Sequence, residues 1–289
     1  MNWLFDSPNL YVVIASIFGL IVGSFLNVVI YRFPLMLKKA WQKECYECFS
    51  ELPATEGLPL FNLSIPRSHC PTCKQPVKVI DNVPVFSWLL LGGECRHCKT
   101  KINIRYPFVE LLTATAVGLT AYFIPGSYWS LAVIGATFVL IVLCFIDLDT
   151  MLLPDKMTLP LMWAGLFVAL IGISPVSIED TLIGAMTGYL SLWSVFQLFK
   201  FMTGKESMGY GDFKLLAALG AWLGWQFLPL VILLASFGGA ISGIILMYIY
   251  GVGKETPFSF GPYLTISGWI SLLWGNKLID WYLISYLGM

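Results

Sequence analysis

Charge is what this 289-residue sequence has least of: Asp, Glu, Lys and Arg make up only 12% of it, and histidine occurs twice. A chain with so few charges cannot give a soluble domain its usual surface. With 57% hydrophobic residues and a mean hydropathy of +0.77 it belongs to the membrane class. The net charge is zero, and the basic residues lie between apolar runs instead of forming a patch, which argues against nucleic acid as a partner. No Lys or Arg precedes the first apolar run, so the positive region of a cleavable signal is missing. A glycine-rich nucleotide loop is also lacking, and no internal repeat is visible.

What is present in quantity is apolar runs. The first, from about Asn9 to Ile30, is long enough to span a bilayer and is followed by Arg32, Lys38, Lys39 and Lys43. The positive-inside rule then puts its amino-terminal end outside and the following segment in the cytoplasm. Residues 33–106 are rich in Pro, Cys, Lys and Arg and contain no spanning run. Seven more runs follow at roughly 107–124, 129–146, 157–174, 181–199, 213–225, 228–250 and 261–286. The expected fold is an all-α polytopic membrane protein of about eight transmembrane helices. Residues 1–32 form the first, 33–106 a cytoplasmic insert, and 107–289 a seven-helix membrane catalytic region. Sixteen of the seventeen basic residues fall on the inner side, among them Lys156, Lys200, Lys205, Lys214 and Lys254, and only Lys277 lies elsewhere. Both termini are therefore expected outside. Gly19/Gly23, Gly184/Gly188, Gly220/Gly224 and Gly239/Gly243 have the spacing that lets membrane helices approach closely.

The insert carries most of the cysteine. Cys70 and Cys73, then Cys95 and Cys98, form two C-x-x-C pairs separated by twenty-one residues, the arrangement of a tetrahedral zinc site. Four thiolates leave no open position for water, so the expected role of zinc is to fold the insert. The competing readings are two disulfides, disfavoured in a reducing compartment, and four unmetallated thiols, disfavoured in an insert with a small core. Cys45 and Cys48 form a third pair that reads as redox-active, as ligands of a second site, or as plain reduced thiols. His69 and His97 each adjoin a candidate ligand and could substitute for one. Cys144 reads as a small buried residue.

Ionisable residues at the ends of membrane runs are costly and are candidates for function. Asp147, Asp149 and Asp155 cluster after one run, and Asp212 arrives sixty-five positions after Asp147 in Gly209-Tyr210-Gly211-Asp212. Two such acids at one membrane face could share a proton and activate water. Helix dipoles would favour the anion on Asp212, at a helix start, and the neutral acid on Asp147, at a helix end. Against this, Asp155 reads as a helix N-cap, and Asp212 could be one too. Glu110 and Asn27 could bind substrate or cofactor, or satisfy polar neighbours.

In this order the chain also carries Gly23-Ser24-Phe25-Leu26-Asn27, Pro66-Arg67-Ser68-His69-Cys70, Asp81-Asn82-Val83-Pro84, Arg105-Tyr106-Pro107 with Glu110, Asp147 with Leu153-Pro154-Asp155, Gly211-Asp212 with Lys214, and Pro257-Phe258-x-Phe260-Gly261-Pro262. On these motifs it resembles the type IV prepilin peptidases of bacterial inner membranes, over nearly its whole length. The resemblance implies catalytic aspartates at Asp147 and Asp212, with Asp149 as the alternative to the first. It implies cleavage of the basic leader of type IV prepilins and type II secretion pseudopilins after a glycine at the cytoplasmic face. It further implies N-methylation of the new terminus, usually phenylalanine, by S-adenosylmethionine, with membrane lipid as the surroundings. The Glu44–Cys48 segment and Glu94 depart from the family pattern. A transporter with an Asp proton relay and a zinc regulatory insert is the alternative, and would place its acids near mid-bilayer. A non-enzymatic scaffold would tolerate asparagine at both acids.

Overall fold

The computed structural model describes residues 8–48, 61–204, 208–250 and 259–287. Lys205, Lys254, Pro257 and Phe258, named above, lie outside them. Among the described residues the chain is all-helical, and two isolated bridges, His69 with Pro76 and Glu94 with Lys101, are its only β-type pairs. Eight helices of fourteen residues or more form: α1 (Pro8–Cys48), α3 (Arg105–Phe123), α4 (Tyr128–Thr150), α5 (Asp155–Leu170), α6 (Ile178–Thr203), α7 (Tyr210–Leu223), α8 (Leu228–Tyr250) and α9 (Gly261–Tyr282). A short α2 (Phe86–Leu90) lies in the cysteine-bearing segment. Four stretches, Asn9–Tyr46, Tyr128–Thr150, Ile178–Thr203 and Trp225–Ile249, are long and apolar enough to cross a membrane.

Helix starts and stops follow local chemistry. The Ser127 and Ser177 hydroxyls cap α4 and α6, each accepting an N–H from the first turn. Gly204 and Gly224, both at positive φ, end α6 and α7. Within the helices, Thr113, Thr120, Thr137 and Thr187 donate to carbonyls three or four residues back. Those hydroxyls are satisfied without water, as an apolar solvent demands.

The chain divides into two compact units, Ser7–Tyr122 and the chain from Phe123 onward. In the first, α1 runs unbroken past position 32, the expected end of the first transmembrane helix, and reaches Cys48 with Pro34 inside it. Gly19 and Gly23 lie against α3: a Cβ on Gly23 would come within 2.9 Å of the Glu110 backbone. The buried Arg32 donates to the carbonyls of Asn62 and Leu63, and Lys39 sits 4.4 Å above the Phe61 ring.

In the second unit α7 is the hub. From Asp212 to Leu223 every residue but Lys214 is buried, and α7 packs on α6, α5 and α9. Gly184 of α6 and Gly220 of α7 meet backbone to backbone with no space for a Cβ on either. Gly165 leaves room for the Trp222 indole, which donates to the Leu161 carbonyl at 2.8 Å. α4 is largely buried and the stretch containing α8 largely exposed, so α4 is central and α8 peripheral. The exposed faces of α6 and α8 carry Leu182, Met186, Leu190, Leu233, Phe237 and Ile244, a surface suited to lipid. Of the glycine spacings, Gly239/Gly243 makes no close contact at Gly243 with any described residue.

Gly220→Ala is expected to destabilise the second unit by about 1–3 kcal/mol, because the added methyl must part α6 from α7. Gly243→Ala should stay within about 0.5 kcal/mol of the parent. Denaturant unfolding in detergent, followed by tryptophan emission, would measure both.

Candidate active site

Asp147 sits in the last turn of α4. Its carbonyl accepts the N–H of Met151, which adopts the left-handed conformation and stops the helix. Asp212 is the third residue of α7, after the Gly209 N-cap. Both side chains are buried, with exposures of 4% and 8%, and the charge of Asp147 acts on Asp212. Sixty-five residues apart in sequence, the two acids are thus neighbours in the fold.

Leu153 occupies the space between the elements that carry them. A Cβ on Gly211 would fall 2.8 Å from the Leu153 Cβ, and one on Gly261 would meet both Leu153 Cδ1 and the Asp147 carboxylate. Glycine at 211 and 261 is therefore needed for closeness. Gly209 has no described residue within 4 Å of its Cβ position and no positive φ.

The two acids differ in their partners. The Asp147 carboxylate accepts the Ser259 hydroxyl at Oδ2 and the Gly261 N–H. Among the described residues no hydrogen-bond donor is recorded on the Asp212 carboxylate, which instead has the start of α7 behind it. A hydrogen bond to an ionised group contributes about 1.5–3 kcal/mol, whereas a helix terminus contributes about 0.3–1 kcal/mol and up to about 2 in partly buried geometry. Ser259 was invisible to motif reading. It occupies the unspecified position of Pro257-Phe258-x-Phe260-Gly261-Pro262, and only the folded chain places it on Asp147.

Asp149, two residues beyond Asp147, lies about 200° round the helix and is exposed. Asp155 is not the N-cap expected of it. Pro154 holds that position, and both Asp155 oxygens instead meet Lys214 Nζ at 2.7 Å. This pair ties the start of α5 to the start of α7 and keeps the nearest α7 cation engaged at the exposed edge. Cys144, one turn before Asp147, is hydrogen-bonded to Thr265.

In the first unit, Glu110 and Asn27 serve polar neighbours. Glu110 accepts the N–H of Val85, at φ 59°, and the Ser24 hydroxyl, while Asn27 donates to the Gly23 and Tyr106 carbonyls.

Cys70, Cys73, Cys95 and Cys98 converge there, with all four Sγ atoms within 4.8 Å of one another. The 3.7 Å between Cys70 and Cys98 Sγ matches the roughly 3.8 Å edge of a tetrahedron with zinc–sulfur bonds of about 2.3 Å. The cluster could hold structural zinc. Its two halves share one local design: the N–H of Cys70 bonds the Gln75 carbonyl and that of Cys95 the Thr100 carbonyl, each at 2.9 Å. In each, the lysine after the second cysteine, Lys74 or Lys99, has positive φ and bonds back to the first. The Thr100 hydroxyl and N–H hold the Cys98 thiol down at about 6, toward the thiolate a metal needs. Arg96 grips both oxygens of Asp81, holding that carboxyl below its ordinary range. His69 bonds the Arg67 carbonyl, and neither histidine belongs to the four-sulfur group. Cys45 and Cys48 are exposed at the end of α1 and lie outside it as well.

Comparison with known proteins identifies the family. Residues 17–124 match the Bacterial Peptidase A24 N-terminal domain, and residues 134–244 match the Type IV leader peptidase family. The chain is 52% identical to the prepilin leader peptidase/N-methyltransferase of Aeromonas hydrophila, over 97% of this chain and 96% of that protein. It is 47% identical to the protein of the same name from Stutzerimonas stutzeri, covering 98% and 97% of the two chains. The protein so named from Legionella pneumophila is 42% identical over 97% of both. No solved structure matches significantly. Similarity at this level over nearly the full length of both partners means that the chain belongs to the type IV leader peptidase family.

Proposed function

We propose that the chain cleaves the basic leader of type IV prepilins and type II secretion pseudopilins after a glycine, and then N-methylates the new terminus from S-adenosylmethionine. The observation that carries the cleavage is the buried pair Asp147 and Asp212, assembled from two helices of one unit. The names of the full-length relatives carry the methylation.

The chemistry needs one proton on the pair. The ionised acid takes a proton from water as the water oxygen attacks the scissile carbonyl, and the protonated acid gives its proton to the carbonyl oxygen. Collapse of the diol breaks the C–N bond: the leaving nitrogen takes the proton first removed from water, and one diol hydroxyl returns its proton to the acid that had protonated the carbonyl oxygen, which restores the starting pair. Both acids lie at helix ends, the depth at which a basic leader joined to an apolar helix would present its junction. A transporter's relay would instead continue through the span, so the proton-relay reading is not supported.

The proposal extends to topology. In this reading the eight long helices, four of them long and apolar enough to span by themselves, belong to a bacterial inner membrane, both termini face the periplasm, and the cysteine-bearing segment faces the cytoplasm, which the distribution of basic residues among the loops supports. Regions 1–32, 33–106 and 107–289 act as first span, insert and catalytic membrane region. Partners are protein substrates and lipid, with no nucleic acid. Zinc bound by the four cysteines would supply a cross-link within the insert and no reactive position.

Asp147→Asn and Asp212→Asn should each lower kcat/KM for prepilin cleavage by roughly 10³-fold or more, while Asp149→Asn retains activity within about tenfold. The check is mass measurement of the cleaved pilin, and near-normal cleavage by either of the first two variants would remove the dyad. With labelled S-adenosylmethionine, methyl should appear on the new terminus of pilin cleaved by the parent protein. A protein that cleaves but transfers no methyl is a peptidase alone. Elemental analysis should find zinc, and a variant with serine at all four cysteines should lose both the metal and resistance of the insert to proteolysis. Metal release should grow as pH falls, because protons compete for the thiolates.

A further inference from the structure

Ser259 lies just before α9 and has no counterpart among the acids of the motifs, yet it touches one of them. Its hydroxyl donates to Asp147 Oδ2, and the Gly261 N–H reaches the same carboxylate. Serine hydroxyl and peptide N–H donors directed at one carboxylate favour its charged form. The Asp212 carboxylate has no such donors among the described residues, and two adjacent buried acids cannot both be charged cheaply.

Resting on the dyad reading above, we propose that Ser259 is a positioning residue that fixes the negative charge on Asp147 and leaves the shared proton on Asp212. Asp147 then takes the proton from water, and Asp212 protonates the carbonyl oxygen. This is the reverse of what the two helix dipoles alone would select. A helix terminus acts diffusely across its first or last turn, whereas the donors on Asp147 are in direct contact with its oxygens.

Among the described residues few other ionisable groups share this end of the bundle. On α4 itself, Cys144 is bonded to Thr265 and Asp149 is exposed. On α5, Asp155 is paired with Lys214 of α7, and Lys156 is exposed. On α9, Tyr263 packs its ring against Gly238, while Lys277 and Asp280 lie four turns or more from Gly261. Tyr210 of α7 stacks against Phe196 and Phe213. Among the described residues the proton position thus rests on Asp147, Asp212 and the donors upon them; Lys205, Glu206, Lys254 and Glu255 lie outside those residues.

The pH profile of kcat/KM separates the two assignments. If Asp147 is the ionised member, its ionisation creates the active form, and removing the hydroxyl moves the acid limb. If Asp147 is the protonated member, its ionisation destroys the active form, and only the alkaline limb moves. For Ser259→Ala we expect the acid limb to rise by about one pH unit with the alkaline limb in place. Ser259→Thr, which keeps the hydroxyl, should restore the parent profile. Ser259→Gly is measured beside Ser259→Ala so that a fold defect in one does not decide the matter. An alkaline shift alone overturns the charge assignment, and an unchanged profile overturns the positioning role. Asp147→Asn and Asp212→Asn are assayed in parallel. Activity in either brings down the dyad itself, whereas inactivity of both with an unmoved Ser259→Ala profile brings down only the present inference.

Discussion

The cost of holding two carboxylates side by side away from water governs the second unit. A buried charge is tolerated only when donors reach it or when it stays protonated. Both solutions require close approach, and both are visible. Gly261 brings a backbone N–H onto Asp147 by giving up its side chain, and Gly211 lets α7 settle on Leu153 so that Asp212 is drawn in beside it. The α6 to α7 contact at Gly184 and Gly220 belongs to the same arrangement, since it seats the whole of α7 deep enough for its first turn to be buried. A methyl at any of these positions acts on the acids through the packing.

Cation placement around the pair is consistent with a single shared proton. Lys214 is only two residues from Asp212, yet its ammonium is held at 2.7 Å from both oxygens of Asp155 on the exposed edge. An ion pair in that setting adds little stability, about 0.2–1 kcal/mol. Its larger effect is to engage the α7 cation elsewhere. Had that cation reached the two acids, both could ionise together, and the proposed mechanism would lack its proton donor.

The first unit solves a different problem, that of a segment with little apolar core. Two knuckles of matching hydrogen-bond pattern bring four sulfurs to metal-binding distance, and the Arg96 clamp on Asp81 ties the second knuckle to the intervening chain. Glu110, buried and accepting from the strained Val85, anchors that chain to α3. A motif reading could place Glu110 and Asn27 equally well in a binding site or in the framework. Their bonds in the folded unit are framework bonds.

Much was legible in the sequence, because the signals were local or additive. Low charge and long apolar runs determine helices in lipid. Paired C-x-x-C spacing determines a four-sulfur cluster, since two short turns suffice to orient each pair. The acids Asp147 and Asp212 were visible because charge at the end of an apolar run is rare. Other features depended on contacts between distant segments and had no sequence signal. Asp155 had the local look of a cap, but Lys214, fifty-nine residues on, competes for its carboxylate. Gly243 matched a packing spacing, but among the described residues nothing packs there. Ser259 filled an unspecified position between motif residues, yet it touches Asp147 from 112 residues away. The sequence by itself determined which acids are present and that they end helices. Tertiary structure decided which donors reach each acid, because hydrogen bonds act over a few ångströms and only folding brings Ser259, Gly261 and Leu153 within that range.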